Sequence, residues 1–255
     1  MDRNYQIAAV DRALLLLEAV AERPNQGVTE LARTLGLTKT IVFRLLHTLE
    51  ERGFVVRVGL QPVYALGHRL GVLGERAGQQ NTLIVAARPI MERLREETSE
   101  NINLTVRDGQ KSLVLATLAG RHAIRIFAQA GRYGPLHAGG GSLLLLAWAP
   151  QSVHEQLLSD TLEAFTSATI TDPSMLGKLL EDIRVNGYNI SLNDLDDGAF
   201  SIAAGIRNAR GDVVAAISVA GAVARFDDVR RALYLNLVQQ AAAEISGKLG
   251  IGSPR

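Results

Sequence analysis

Two helical patterns separated by a glycine, within residues 28–54, constrain the fold of this chain more than any other feature. In the second pattern, apolar residues recur at helical spacing and form one stripe that can pack onto a neighbouring helix: Val42, Leu45, Leu46 and Leu49. Thr29 can open the first helix, Gly36 can end it in the left-handed conformation, and Thr38 can cap the second helix. The pattern predicts a helix-turn-helix at residues 30–35 and 38–52, preceded by a helix at residues 8–21.

The outward face of the second helix carries side chains suited to nucleic acid. Its members are polar or aromatic: Lys39, Thr40, Phe43, Arg44 and His47. Such side chains hydrogen-bond base edges, touch thymine methyl groups and neutralise phosphates, so we expect this face to enter the major groove of DNA. Arg44 is the strongest single candidate, with either a phosphate or a guanine as its partner. Phe43 has two alternatives, which are a thymine methyl or sugar on the DNA and the core of its own domain.

A hairpin is predicted directly behind this helix, because residues 54–58 and 63–66 have strand patterns on either side of a turn at residues 59–62. A hairpin in this position is a wing. Arg57 lies on its first strand, where it can reach the sugar-phosphate backbone or the adjacent minor groove. The sequence thus predicts a winged helix-turn-helix domain over residues 1–68, followed by a glycine-containing linker helix over residues 69–81.

The positive charge of the chain is concentrated in the same region. The formal net charge is +1, but residues 31–69 contain six basic and two acidic residues, which gives a local charge of +4. A localised positive patch is the electrostatic footprint of a DNA-binding surface. The small total argues against a sequence-independent architectural protein, because non-specific affinity comes almost entirely from phosphate neutralisation.

Composition excludes several other classes of protein. With 0 Cys, the chain has no disulfide framework, no thiolate metal site and no cysteine nucleophile. Its histidines are dispersed, without a pair at metal-ligand spacing, so we predict no metal and no cofactor. No run approaches the roughly 18 continuous apolar residues of a membrane span. At 255 residues, we expect a soluble, cytoplasmic protein of two domains.

The second half of the chain predicts an α+β domain over residues 82–250, with a mostly antiparallel sheet. Strand patterns cluster before and after a block of helices, which is typical of that class. The predicted strands are residues 103–107, 112–118, 123–128, 188–192, 200–206 and 213–219. The predicted helices are residues 83–97, 142–148, 152–159, 173–186 and 227–249. We expect the very apolar helix at residues 142–148 in the core or in a subunit interface.

Two segments of this domain contain groups able to bind ions. The glycine run at residues 139–141 precedes the apolar helix, where free backbone N–H groups and the helix dipole favour an anion. The alternative is a tight loop that needs positive φ. Asp194, Asp196 and Asp197 resemble a metal loop only faintly, because the downstream glutamate of a calcium-binding hand is missing. We therefore expect a solvated turn there.

Several segments together resemble the IclR family of bacterial transcriptional regulators, and the resemblance covers nearly the whole chain. Its carriers follow one another in the family's order and spacing: residues 10–13, 31–53, 64–67, 135–138, 187–188, 202–204 and 211–219. The resemblance implies a winged helix-turn-helix domain joined to a GAF-like effector-binding domain. It also implies a homodimer or homotetramer that binds double-stranded operator DNA, with a small metabolite tuning repression or activation.

Carried over residue by residue, the resemblance places the effector between the loop before the apolar helix and the last strands. It indicates Gly139, Gly140, Ser201 and Ser218 as effector-binding residues. Ser201 stands where cysteine is common in the family, so the chain keeps the family's pattern only in part. The chemistry of the effector stays open between an organic acid and an aromatic compound.

The leading hypothesis is therefore a ligand-responsive DNA-binding regulator rather than an enzyme. The alternative is an enzyme that acts on a small metabolite through its C-terminal domain, with Ser201 or Ser218 as the nucleophile. A serine nucleophile needs a positioned histidine base and an acid. The sequence has no nucleophile elbow and no recognisable triad, so we assign no catalytic residue.

Overall fold

Residues 7–59, 62–123, 129–159 and 161–251 are described by a computed structural model. The chain divides into two units, Met1–Gln80 and Asn81–Arg255. Separate hydrophobic clusters fill the two units, so each unit is described by itself. Within the described ranges, none of the helices combines the length and the apolar character that crossing a lipid bilayer requires.

The N-terminal unit contains the predicted helices and hairpin in the predicted order, together with one short strand at Gln26–Gly27 that was not predicted. Its described helices are α1 (Ala8–Glu22), α2 (Val28–Leu35), α3 (Lys39–Glu51) and α4 (His68–Gln80). Its described strands are β1 (Gln26–Gly27), β2 (Val55–Val58) and β3 (Val63–Leu66), in the antiparallel order β1-β3-β2. Val42 and Leu46 are fully buried in the core, against which Leu45 and Leu49 are partly buried. The predicted helix-turn-helix and the hairpin behind it are confirmed.

The turn between α2 and α3 forms as its residues require. Gly36 follows α2 with a φ of +63°, a left-handed conformation that glycine adopts without a Cβ clash. The Thr38 hydroxyl oxygen accepts a hydrogen bond from the Ile41 N–H at 3.4 Å and caps α3. The end of α2 and the start of α3 therefore lie at two residues that the sequence indicated.

The start of α2 differs from the prediction. Thr29 does not open this helix, because the helix already begins at Val28. The Gly27 N–H donates a hydrogen bond to Glu30 Oε2 at 2.8 Å. This carboxylate satisfies a backbone donor at the helix N-terminus and carries the favourable charge for that position. The side chain of Glu30, rather than that of Thr29, therefore fixes the start.

The wing is formed by β2 and β3, which pair in register from Val55 with Leu66 to Val58 with Val63. Residues 60 and 61 of the predicted turn lie outside the described residues. Behind the wing the chain crosses its own path closely, because a Cβ atom on Gly67 would lie 2.2 Å from the Gly53 carbonyl oxygen. Glycine is the residue that fits this crossing.

The linker helix predicted at residues 69–81 forms as α4, one residue earlier at each end, in spite of its glycines. Asn81 instead caps the next helix, α5 (Thr82–Thr98). Its side-chain oxygen accepts hydrogen bonds from the N–H groups of Leu83 at 3.0 Å and Ile84 at 3.1 Å. An asparagine cap of this kind marks the beginning of a new helix. The first element of the C-terminal unit thus begins directly after the linker.

The C-terminal unit is an α+β domain, as predicted. After α5, its described helices are α6 (Gly140–Ala147), α7 (Gln151–Ser159), α8 (Pro173–Asn186) and α9 (Asp228–Ile251). Its described strands are β4 (Asn101–Asp108), β5 (Lys111–Leu118), β6 (Tyr133–Gly134), β7 (Tyr188–Leu192), β8 (Ala199–Arg207) and β9 (Val213–Ala222). They form one antiparallel sheet in the order β6-β5-β4-β9-β8-β7.

The two faces of this sheet differ in chemistry. One face is apolar and packs on α5 and α9, with residues such as Ile102 and Ile217 completely buried. Because side chains alternate along a strand, the neighbouring residues point to the other face. That face meets α6 through Ala203 and Ala216 and carries polar side chains beyond the contact. The polar part is the floor of the cavity described below.

Three details of this unit differ from the sequence prediction or lie outside the description. The apolar helix begins at Gly140 rather than at Ser142, and its side chains are buried, so it belongs to the core of its own unit rather than to a subunit interface. The short strand β6 was not predicted. Residues 124–128 of the strand predicted at residues 123–128 lie outside the described residues.

Candidate functional site

The outward face of α3 is accessible. All five of its candidate DNA contacts are exposed: Lys39, Thr40, Phe43, Arg44 and His47. Within the described ranges, no carboxylate forms an ion pair with Lys39 or Arg44. The Phe43 ring is 50% exposed, so the alternative in which this ring packs into the domain core is wrong. The face therefore presents two cations and an aromatic ring to whatever approaches it.

The two rings of this face stack on each other. The ring centroids of Phe43 and His47 lie 6.4 Å apart, with an interplanar angle of 8°. His47 Nε2 also lies 3.6 Å from Glu51 Oε1, one turn further along α3. The stacked rings form a flat aromatic surface on the helix face that also carries the cationic Arg44. Such a combination can contact a thymine methyl group and a neighbouring phosphate together.

The wing residue Arg57 is engaged within its own unit. Its Nη2 atom lies 3.0 Å from Glu50 Oε2, and its guanidinium carbon lies 5.8 Å from the centroid of the Tyr64 ring. Both side chains of the ion pair are partly exposed, and pairs of this kind contribute no more than about 1 kcal/mol. A DNA phosphate can therefore compete with Glu50 for Arg57.

The C-terminal unit contains a cavity of about 350 Å³ between the polar face of the sheet and the loops around α6. The residues that the family resemblance indicated all line it: Gly139, Gly140, Ser201 and Ser218. Apolar side chains form other parts of the wall: Val114, Phe165 and Leu195. A concave, mixed site of this volume is of the size that holds a small organic molecule.

The floor of the cavity is built from neighbouring strands. Asn103 of β4 lies directly opposite Ser218 of β9, and Thr105 lies opposite Ala216. Ser201 lies on β8, one strand further along the sheet. Among the residues that the structure describes, none hydrogen-bonds the side-chain hydroxyl of Thr105, Ser201 or Ser218. These hydroxyls are available to a bound molecule, because polar groups away from bulk water require partners.

The first turn of α6 lies so close to this floor that it requires glycine. A Cβ atom on Gly140 would lie 2.6 Å from Ser201 Oγ, which no side chain tolerates. Asn189 Nδ2 donates a hydrogen bond to the Gly140 carbonyl oxygen at 3.2 Å and so holds this turn over the sheet. Gly139 adopts a φ of +89° just before the helix. Gly139 therefore forms the tight turn with positive φ that the sequence allowed, whereas Gly140 and Gly141 belong to α6.

Asp194 occupies part of the anion site that the glycine run suggested. The Gly139 N–H donates to Asp194 Oδ2 at 2.9 Å, and the Ser191 hydroxyl donates to Oδ1. The Thr169 hydroxyl donates to the backbone oxygen of Asp194 at 2.6 Å. Only 9% of Asp194 is exposed, so the prediction of a solvated turn is wrong for this residue. These hydrogen bonds offset the loss of water around the buried carboxylate.

Sequence reasoning missed several residues that line the cavity: Asn103, Thr105, Ser112, Arg132, Phe165, Ser191 and Asp194. A signal existed for the first two, because polar residues at alternate positions of an otherwise apolar strand indicate a face that does not pack against a helix. Ser112 has a structural role as well, since it accepts a hydrogen bond from the Ser142 hydroxyl at 2.9 Å. Loop residues such as Phe165 had no comparable local signal.

The described residues that line the cavity do not include the serine-histidine pair of a serine hydrolase. Among the described residues that line the cavity there is no histidine, so neither Ser201 nor Ser218 has a histidine base among those lining residues. Across the described ranges, no group of three or more histidine, aspartate or glutamate side chains is placed to hold a metal ion. The arrangement offers hydrogen bonds and apolar contacts, which is the chemistry of a binding site.

Two protein-family models match this chain. The model described as IclR helix-turn-helix domain matches residues 9–59, and the model described as Bacterial transcriptional regulator IclR C-terminal matches residues 76–247. The first range contains α3 and β2, the first strand of the wing. The second range contains the cavity and every strand of the larger sheet.

Individual relatives agree with these matches along almost the entire chain. The HTH-type transcriptional regulator KipR of Bacillus subtilis is 32% identical over 242 residues, which cover 94% of this chain and 96% of the relative. The crystal structure of an IclR transcriptional regulator from Alicyclobacillus acidocaldarius has a TM-score of 0.89 and 25% identity, covering 96% of this chain and 100% of that one. An IclR homolog from Microbacterium hydrocarbonoxydans, solved in complex with 4-hydroxybenzoate, has a TM-score of 0.83 and 28% identity, covering 94% and 98%.

Proposed function

This chain belongs to the IclR family of bacterial transcriptional regulators, and from that premise we propose which of its surfaces bind DNA and effector. Residues 1–68 bind double-stranded operator DNA through the winged helix-turn-helix. Residues 82–250 bind a small effector that modulates this binding. The observation that carries the proposal is the combination of an accessible, cationic α3 face with a separate cavity lined by hydroxyls that lack protein partners in the described structure.

The proposed DNA contacts are Lys39, Thr40, Phe43, Arg44, His47 and Arg57. Exposure of the α3 side chains and the absence of carboxylate partners for Lys39 and Arg44 within the described ranges support this assignment. Arg57 joins the interface by exchanging its ion pair with Glu50 for one with a phosphate. Phosphate contacts set the register of the protein on the duplex, and contacts to base edges select the sequence.

The proposed effector contacts are Gly139, Gly140, Ser201 and Ser218, and the proposed effector is a small organic acid or aromatic compound. The cavity volume of about 350 Å³ and its mixture of hydroxyls with aromatic walls support that class. The relative from Microbacterium hydrocarbonoxydans was solved with 4-hydroxybenzoate, which makes this compound a reasonable first probe. In the proposal the protein uses no cofactor and performs no chemistry on the effector.

We propose that the working form is a homodimer or a homotetramer in the cytoplasm, where operator DNA is found. Two half-sites one helical turn apart require two copies of a recognition helix. Exposed apolar side chains on or next to α1 support association between copies: Ile7, Val10, Leu14 and Leu15. Effector binding changes operator affinity because the effector binds one arrangement of the oligomer better than the other.

Fluorescence anisotropy tests this function directly. A labelled fragment from the region upstream of the protein's own coding sequence is titrated with the full chain at moderate salt, against a scrambled fragment of equal length. We expect the native fragment to bind at least about 1,000-fold more tightly than the scrambled one. Titration with a panel of small organic and aromatic acids that includes 4-hydroxybenzoate should change the operator affinity. Equal affinity for both fragments would reject the proposal.

A further inference from the structure

A row of neutral polar side chains crosses three neighbouring strands beside the cavity. Thr117 of β5 is paired in register with Asn103 of β4, and Asn103 is in turn paired with Ser218 of β9. Residues directly opposite each other on adjacent antiparallel strands have their Cβ atoms about 4.5–5.5 Å apart, so these side chains are neighbours. Asn103 and Ser218 line the cavity. We call these three residues the polar row.

The amide of Asn103 is held at one end and open at the other. The Thr117 hydroxyl donates a hydrogen bond to Asn103 Oδ1 at 2.8 Å. Among the residues that the structure describes, none accepts a hydrogen bond from Asn103 Nδ2. An amide nitrogen carries two donors, and in a partly buried position these require acceptors. The open end of this amide therefore presents donors to whatever occupies the cavity.

The surroundings of Asn103 favour a neutral oxygen over a charged one. Its neighbours in the polar row are hydroxyls without charge. Among the described residues lining the cavity, Arg132 is the sole cation, and it is exposed rather than on the sheet floor. A carboxylate beside Asn103 would lose water without gaining a counter-charge from the polar row. A hydroxyl or carbonyl oxygen accepts the amide hydrogen bond at a smaller desolvation cost.

We propose that Asn103 is a specificity-determining residue, which donates a hydrogen bond to a neutral hydroxyl or carbonyl oxygen of the effector. Thr117 is a positioning residue, which holds the Asn103 amide in the orientation that lets Nδ2 donate a hydrogen bond to the effector. The inference rests on the proposed function, because it deepens the role of the same cavity. It narrows the effector to compounds that carry such an oxygen in addition to any acidic group.

Isothermal titration calorimetry on the full chain without DNA tests the proposal with matched pairs of probes. The pairs are 4-hydroxybenzoate with benzoate, and lactate with propionate, so that each pair differs in one hydroxyl. We expect the wild-type protein to bind the hydroxylated member of at least one pair about 5- to 10-fold more tightly, which lies within the range for one net hydrogen bond. Asn103→Ala should reduce this preference to less than 2-fold while the affinity for the other member stays within about 2-fold.

Thr117 is tested by removing and then restoring its hydroxyl. Thr117→Val should lower the preference for the hydroxylated probe, because the amide loses the donor that orients it. Thr117→Ser keeps a hydroxyl at the same place and should retain the preference. Circular dichroism melting of each variant provides the folding control, and selectivity is compared at temperatures where every variant is folded.

Three results would overturn the inference. The first is that the wild-type protein binds both members of each pair with equal affinity. The second is that Asn103→Ala keeps the wild-type preference for the hydroxylated probe. The third is that neither hydroxylated probe binds. Because the calorimetry omits DNA, its outcome is independent of regulation. If the protein shows the predicted selectivity but the probes do not change its operator affinity, the proposed function is rejected and the assignment of Asn103 stands.

Discussion

Arg44 is the side chain that we expect to contribute most to DNA binding. It is exposed on α3, has no ion-pair partner in the described structure, and lies beside the stacked rings of Phe43 and His47. Because Arg44 has no ion pair within the described protein, no ion pair has to break when it binds a phosphate or a guanine. The neighbouring Arg57 differs, because it must first leave Glu50. The two residues should therefore contribute unequally to affinity.

Arg44→Ala should weaken operator binding by about 10- to 100-fold, which corresponds to the loss of one good contact. Arg210→Ala is the matched control, since it removes the same charge from an exposed turn in the other unit. Anisotropy titrations over a range of salt concentrations distinguish the two possible partners of Arg44. Loss of a phosphate contact lowers the salt slope by about one and affects all sequences, whereas loss of a guanine contact relaxes specificity at one position. Unchanged affinity would remove Arg44 from the interface.

The shifted pKa of His154 makes the stability of the protein depend on pH. Burial is the main cause that lowers the pKa of His154 below its ordinary value, and the charge of Arg184 lowers it further. The folded state therefore binds a proton less readily than the unfolded state. Neutral His154 therefore favours the folded state, and this contribution to the free energy of unfolding is fully present above about pH 6.5, the pKa of histidine in the unfolded chain. It is lost as the pH falls from there through the lower pKa of the folded state.

We expect the free energy of unfolding to decrease between pH 7.5 and pH 5.5, and His154→Gln to make the decrease smaller. Urea unfolding at both pH values measures the difference. His154 is partly exposed, so the effect is small and the comparison between wild type and variant is more informative than either absolute value. An equal decrease in both proteins would assign the pH dependence to other groups.

The elements differ in how far their own sequence determines them. Helix α8 and strand β7 form at the residues that were predicted, because Asp172 caps the helix through the Met175 N–H and Gly187 ends it in the left-handed conformation. Helix α6 begins earlier than predicted, since glycine has a low helix propensity and Gly140 is helical because it packs on Ser201. Local signals therefore located helix ends with caps, but not ends set by tertiary contact.

Gly67→Ala should destabilise the wing, because the new Cβ atom would lie 2.2 Å from the Gly53 carbonyl oxygen. The expected loss is about 1–3 kcal/mol, the usual cost of overpacking. Gly71→Ala is the matched control in α4, where a Cβ atom meets no other atom within 4 Å. That change should be neutral or slightly stabilising, since alanine is the better helix former. Thermal unfolding of both variants checks the prediction, and an equal melting temperature for the two would contradict it.

At the scale of the whole molecule, the cavity depends on contacts between distant parts of the chain. The centre of the larger sheet is formed by pairing of β4 with β9, which joins residues 101–105 to residues 216–220. Gly139 meets Asp194 across 55 residues. The family resemblance predicted where the pocket lies, but no periodicity or spacing could show which polar residues of these strands face each other. That is why Asn103 and Asp194 were missed.

The link between effector and operator should be reciprocal. If an effector changes the operator affinity by some factor, operator DNA must change the effector affinity by the same factor, since both describe one coupling free energy. Calorimetry of the effector with and without saturating operator measures the second factor, and anisotropy measures the first. We expect the two factors to agree within error and to lie between about 5 and 150. Two clearly different factors would show that a further species takes part in the equilibrium.

In the proposed effector site, the hydrogen bond from Gly139 to Asp194 should weaken the binding of an anionic effector. Asp194 is a carboxylate attached to the same chain, so it reaches the N-terminal end of α6 at a high effective concentration. A free acid must either displace this internal competitor or bind beside it. Its measured dissociation constant would then understate the strength of the contacts it makes.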